Sequence, residues 1–108
     1  MSPMDPFIMD LQKEGLLMFF KPWQLICLQT LWNSNEGLSS KEVWESVKDM
    51  ISRASVINFL DEMTRNGLLI KDKMYGRGGF HGVYKAIYDE QRTREYIKCL
   101  FRKKLEQL

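Results

Sequence analysis

Residues 38–69 read LSSKEVWESVKDMISRASVINFLDEMTRNGLL, and the fold turns on how this stretch is punctuated. Ser39 followed by Glu42 three residues later is a capping box, in which each side chain satisfies a backbone N–H of the other; it predicts a helix that buries Val43, Trp44 and Val47 and ends near Asp49. After a tight break, Ser52 caps a third helix reaching about Asn66, with Val56, Phe59, Leu60 and Met63 as its core stripe. Asn66-Gly67 stops that helix, because glycine takes the left-handed conformation a helix terminus prefers.

Upstream, Lys21-Pro22 marks a boundary, since proline disfavours helix before it and suits the first turn after it. Leu25, Leu28, Leu31 and Trp32 then recur at helical spacing, with Trp23 and Ile26 beside them, so Pro22 to Asn33 reads as a first helix. Residues Asn33 to Gly37 are loop. Met1 to Asp10, with Pro3 and Pro6, is expected to be an arm or extended strap, and Asp10 to Phe20 a short helix weakened by Gly15.

Downstream, Leu68 to Lys73 and Gly82 to Ile87 alternate as strands, with Leu38 as a third, very short one. Met74 to His81 between them is too long for a two-residue turn and predicts a hairpin with an extended, glycine-rich, basic tip. A last helix from Asp89 to about Gln107 puts Ile97, Leu100, Phe101, Leu105 and Leu108 on one stripe. That stripe is wide for so small a core. Pairing with a second copy, clasped by Leu16 to Phe20, would bury it; folding back on its own domain is the alternative.

Three helices and a hairpin form the layout of a winged helix-turn-helix domain, mainly α with a small β-hairpin. The divisions expected are an N-terminal arm over 1–21, the winged helix over 22–88 and a dimerisation helix over 89–108. The segments 38–44 and 51–60, with Asn66-Gly67-Leu68-Leu69, Gly76-Arg77-Gly78-Gly79 and Val83-Tyr84, resemble the winged-helix repressors of the penicillinase-repressor family and the related multiple-antibiotic-resistance regulators. Gln24 to Trp32 is similar to the opening helix of the former. The resemblance implies a transcriptional regulator that dimerises and binds double-stranded DNA at inverted repeats, with room for an effector between dimer helices and wing. No residue set points to a particular molecule. Two departures limit it: the stretch 89–108 is shorter than the protease-sensitive tail of the penicillinase repressors, and Cys99 stands alone where copper-sensing relatives carry a cysteine cluster.

Composition narrows the chemistry. The chain has 108 residues, a net charge of +2, one histidine and two cysteines without CxxC spacing. One histidine, His81, in a glycine-rich loop cannot anchor a triad, so neither an enzyme, a cofactor nor a metal site is expected. Cys27 reads as a small core hydrophobe, and Cys99, beside Lys98 and Arg102, as a candidate redox thiol. No apolar run reaches membrane-spanning length and no secretory leader pattern is visible, so a cytoplasmic protein without a membrane partner is expected.

Charge is uneven. Residues 1–50 carry four basic and seven acidic side chains, and residues 51–108 a net of +5. That is either ordinary scatter or the footprint of a surface that faces an anionic polymer.

If the third helix enters the major groove, its N-terminal residues reach base edges. At about 100° per residue, the face opposite the core carries Ala54, Ser55, Asn58, Asp61, Glu62 and Arg65, with Arg53 and Ile57 at its margin. Arg53 suits guanine, Asn58 adenine and Ile57 a thymine methyl. Ser39, Ser40 and Lys41 form a candidate phosphate anchor at a helix start, with Ser52 at the next. Arg77 between glycines, with Lys71, Lys73, Tyr75, His81 and Lys85, makes a candidate basic ribbon for the DNA backbone. A flexible hairpin and solvent-facing polar residues remain the plain reading of the same positions. Asp61 and Glu62 on the reading face would repel phosphate, which leaves open a second class of function, a protein-interaction module in a larger complex.

Overall fold

Proline at position 22 opens α1 (Pro22–Trp32), and the Gln24 side chain accepts from the backbone N–H of Lys21 at 2.8 Å to close its first turn. The computed structural model describes residues 7–76 and 79–108, with the side chains of 73–81 left aside. The capping box at α2 (Ser40–Glu45) forms as its sequence requires: Ser39 Oγ accepts from Glu42 N at 3.2 Å and Glu42 Oε1 from Ser39 N at 3.1 Å. This helix is shorter than its sequence predicts. Ser46 Oγ donates to the Val43 carbonyl at 2.6 Å, a local bond that competes with the helical ladder, and tight turns continue to Met50. Trp44 Nε1 donates to the Ile51 carbonyl at 3.1 Å and so fixes the turn between α2 and α3 (Arg53–Arg65).

Ser52 caps α3, its Oγ accepting from Ser55 N at 3.2 Å. At the other end, Leu68 N bonds Met63 O at 3.0 Å and Gly67 N bonds Thr64 O at 3.2 Å, with Gly67 at φ +85°, which is a Schellman motif. The chain then enters an antiparallel hairpin, β1 (Leu69–Gly76) and β2 (Gly79–Ala86).

The hairpin differs from its sequence reading. Cross-strand pairs run without a break from Leu69↔Ala86 to Gly76↔Gly79, so Met74–Gly76 and Gly79–His81, expected to belong to an extended tip, are ladder. Alternation of side chains is weak there, which hid the strands; backbone pairing carried over from the inner rungs overrides it. Leu38 bridges to Tyr84 by two backbone bonds of 2.9 and 2.8 Å, the short third strand. Asp89 caps α4 (Glu90–Leu105) by accepting from Arg92 N at 2.8 Å.

The helix expected over 10–20 is only a single 3-10 turn, Gly15–Met18. Gly15 opens that turn at φ +60°, a left-handed backbone angle that keeps residues 10–14 from running into it as one continuous right-handed helix. Its flanks are nonetheless core. Phe7, Leu16 and Phe20 join Cys27, Leu28, Leu31, Val43, Val56, Leu60 and Ile97 in one buried cluster, so the segments expected to flank the winged helix pack into it. Fully buried leucines such as Leu28, Leu31 and Leu60 each contribute about 1.5–3 kcal/mol by leaving water. Aromatic edges tie the layers: Phe20 and Trp23 both meet the Phe59 ring, at centroid distances of 6.2 and 5.5 Å.

Candidate nucleic-acid interface

The first turn of α3 presents Arg53 and Ala54 to solvent, and Asn58 lies exposed one turn on. Arg53 makes no ion pair among the described residues. Ser55 is half-buried and its Oγ accepts from Ser52 Oγ at 3.0 Å, so both hydroxyls serve the cap as well as the surface. Ile57 is half-buried beside them. Arg65, on the last turn, stands about 18 Å along the helix from Arg53, too far to share its base step.

Asp61 does not stand free on the outward side of α3. Its carboxylate accepts from Tyr84 Oη at 2.5 Å and pairs with Lys71 Nζ at 3.4 Å, so it faces the hairpin. Asp61 lies on the side of α3 away from the core stripe, and the neighbour on that side is β1–β2 rather than open solvent. Lys71 also lies over the Tyr84 ring, 5.1 Å from its centroid. Burial, then the bond to Asp61, raises the Tyr84 phenol above its usual pKa of 10; the contact with Tyr84, before that with Asp61, raises Lys71. Lys71, expected to meet phosphate, is therefore shared with a carboxylate, although its side chain stays 45% exposed.

Of the other expected contacts, Lys41 and Lys85 are exposed, and Ser39 and Ser40 half-buried at the start of α2. Arg77 lies outside the described residues. Lys73, Tyr75 and His81 are in the paired strands, and their side chains are outside the description. Ile97 is 2% exposed and belongs to the intramolecular core, which takes it out of any stripe offered to a second copy. Leu100 and Phe101 are half-buried against the same core, while Leu105 and Leu108 stay exposed. Sequence reasoning missed Tyr84 as a link between α3 and the hairpin; nothing in its alternating strand context distinguishes its hydroxyl. Among the described residues, no cluster of His, Cys, Asp and Glu could hold a metal ion, and no helix is long and apolar enough to cross a membrane.

The element order, the capped α2–turn–α3 unit and the hairpin with its Leu38 bridge define a winged helix-turn-helix fold. Among solved structures, the chain is similar to a possible transcriptional regulator from Methanosarcina mazei Go1, with a TM-score of 0.66 at 14% identity over 82% of this chain and 72% of that one. It is more distantly similar to the Vibrio cholerae ferric uptake regulator, at TM-score 0.48 and 18% identity over 68% of this chain and 56% of that one, a likeness too loose to align side chains. No protein-family model and no curated protein sequence matches the chain. Of the resemblance to the penicillinase-repressor and multiple-antibiotic-resistance families, the likeness shows the winged helix-turn-helix fold alone.

Proposed function

We propose that the protein is a cytoplasmic, sequence-specific DNA-binding transcriptional regulator, a homodimeric repressor that reads an inverted repeat with α3 and the hairpin. The observation that carries this reading is the presence of a free guanidinium and a free amide, Arg53 and Asn58, exposed on the first turns of α3, the end that such a fold commonly docks in the major groove. The basic balance of residues 51–108 and the fold likeness to a possible transcriptional regulator support it. Residues 22–88 form the reading unit and 89–108 serve dimerisation. For that second role, exposed Leu108, with Ile8 and Leu11, supplies apolar surface outside the cleft beside α4.

The alternative, a protein-interaction module, drew on Asp61 and Glu62 as acidic groups on the reading face. Asp61 is held by Tyr84 and Lys71, which weakens that argument.

The test is fluorescence anisotropy against the duplex upstream of the protein's own gene and a shuffled copy, at several salt concentrations. Arg53→Ala and Asn58→Ala are each expected to cost about 1–3 kcal/mol on the specific duplex and little on the shuffled one. Arg77→Ala should weaken both alike and lower the salt slope by about 0.9. Absence of binding to either duplex at low salt would overturn the proposal.

A further inference from the structure

The 3-10 turn and the C-terminal half of α4 face each other across a cleft of about 440 Å³, a size suited to a small ligand. Leu16 and Met18 line one side, Ile97 and Leu105 the other, and the rings of Phe19 and Phe101, one from each side, touch at 5.0 Å between centroids. Three cations edge this apolar channel. Arg94, Lys98 and Arg102 follow one another at four-residue spacing on α4, so they form a single rail about 12 Å long. Among the described residues, no carboxylate lines the cleft. Arg94 is engaged by Glu90 at 3.7 Å, whereas Lys98 and Arg102 make no ion pair among the described residues.

Apolar walls with charge of one sign along one edge select an occupant with an apolar body and an anionic group. A second copy docked with the two-fold axis through the rail would set it against its own image, cation against cation, with no carboxylate among the described lining residues to relieve it. DNA is also a poor fit. Tyr96 Oη of α4 donates to the Asn66 carbonyl at the far end of α3 from Arg53, which places α4 away from the proposed reading residues.

We propose that this cleft binds a small amphipathic carboxylate, its unbranched acyl chain against Phe19 and Phe101 and its carboxylate between Lys98 and Arg102. The inference goes beyond the DNA-binding proposal and does not depend on it, because its test contains no DNA. Isothermal titration calorimetry of the full chain with dodecanoate, kept below the onset of micelles, should show one site per chain. Dodecyltrimethylammonium, with the same chain and the opposite charge, should bind at least about tenfold more weakly. Lys98→Gln and Arg102→Gln should each weaken dodecanoate by about three- to tenfold while leaving the urea midpoint unchanged, since both side chains are exposed. Equal binding of the two surfactants, unchanged affinity in both variants, or no binding would overturn the proposal. So would sedimentation velocity showing that dodecanoate enters only by dissociating a dimer, which would give the cleft to a second copy.

Discussion

Tyr84 of β2 and Asp61 of α3, 23 residues apart in the chain, are joined by a hydrogen bond of 2.5 Å from phenol to carboxylate. The same tyrosine pairs through its backbone with Leu38, just before α2, and its ring lies beneath the Lys71 ammonium. One residue thus connects the hairpin, α3 and the segment that leads into the helix-turn-helix.

Because the two side chains share this bond, Tyr84→Phe and Asp61→Asn are expected to be non-additive. A double-mutant cycle read by urea unfolding should give a coupling of about 1–2 kcal/mol, the range for a hydrogen bond to a charged group that keeps some solvent contact. Additive single effects would mean that the two elements are held by packing alone.

Asp61 also restrains Lys71, so removing its charge should help an anionic partner. On the DNA-binding proposal, Asp61→Asn is expected to bind shuffled duplex severalfold more tightly at low salt, with a salt slope steeper by up to about 0.9 as Lys71 becomes free to meet a phosphate. The gain should vanish at high salt. Unchanged or weaker binding in anisotropy would show that Lys71 lies away from the duplex.

Gly37 and Gly67 have nearly the same backbone angle, φ +88° and +85°, yet their alanine variants should differ. A Cβ at Gly37 would fall 2.8 Å from both the Tyr84 carbonyl and Val83 Cγ1, whereas at Gly67 the nearest atom is Tyr96 Oη at 3.5 Å. Gly67→Ala should therefore cost about 1 kcal/mol of conformational strain. Gly37→Ala should cost more, about 2–3 kcal/mol, because the Leu38–Tyr84 bridge must also shift. Thermal or urea unfolding separates the two.

The cysteines make a pH prediction. Cys27 is fully buried, and burial pushes its thiol from 9.0 up to about 11. The folded state then holds the proton more tightly than the unfolded state, so this contribution is complete below pH 9 and is lost as pH rises toward 11. The slope is at most about 1.4 kcal/mol per pH unit. Tyr84, raised above 10, acts in the same direction at higher pH. Urea midpoints should fall between pH 8.5 and 10.5, and Cys27→Ala should flatten the lower part of that fall. In native protein at pH 8, iodoacetamide should label the exposed Cys99 and spare Cys27.

What the sequence determined by itself is what bonds of short range decide. Ser39 with Glu42, Ser52 with Ser55, the Asn66-Gly67 stop and Lys21-Pro22 each act within a few residues, so their side chains specify where helices begin and end whatever surrounds them. The core stripe of α3 was likewise legible, because Val56, Phe59, Leu60 and Met63 share one helical face. Tertiary structure alone decided the rest. The ladder reached Gly76 and Gly79 because neighbouring rungs extend one another, with little help from alternation. The burial of Phe7, Leu16 and Ile97 in one cluster joins residues some 90 positions apart. Asp61, acidic and on the outward face of its helix, reads as solvent-exposed until β2 supplies Tyr84. The cleft beside α4 exists only because the two ends of the chain come to lie side by side, a long-range packing outcome to which no local pattern of residues corresponds.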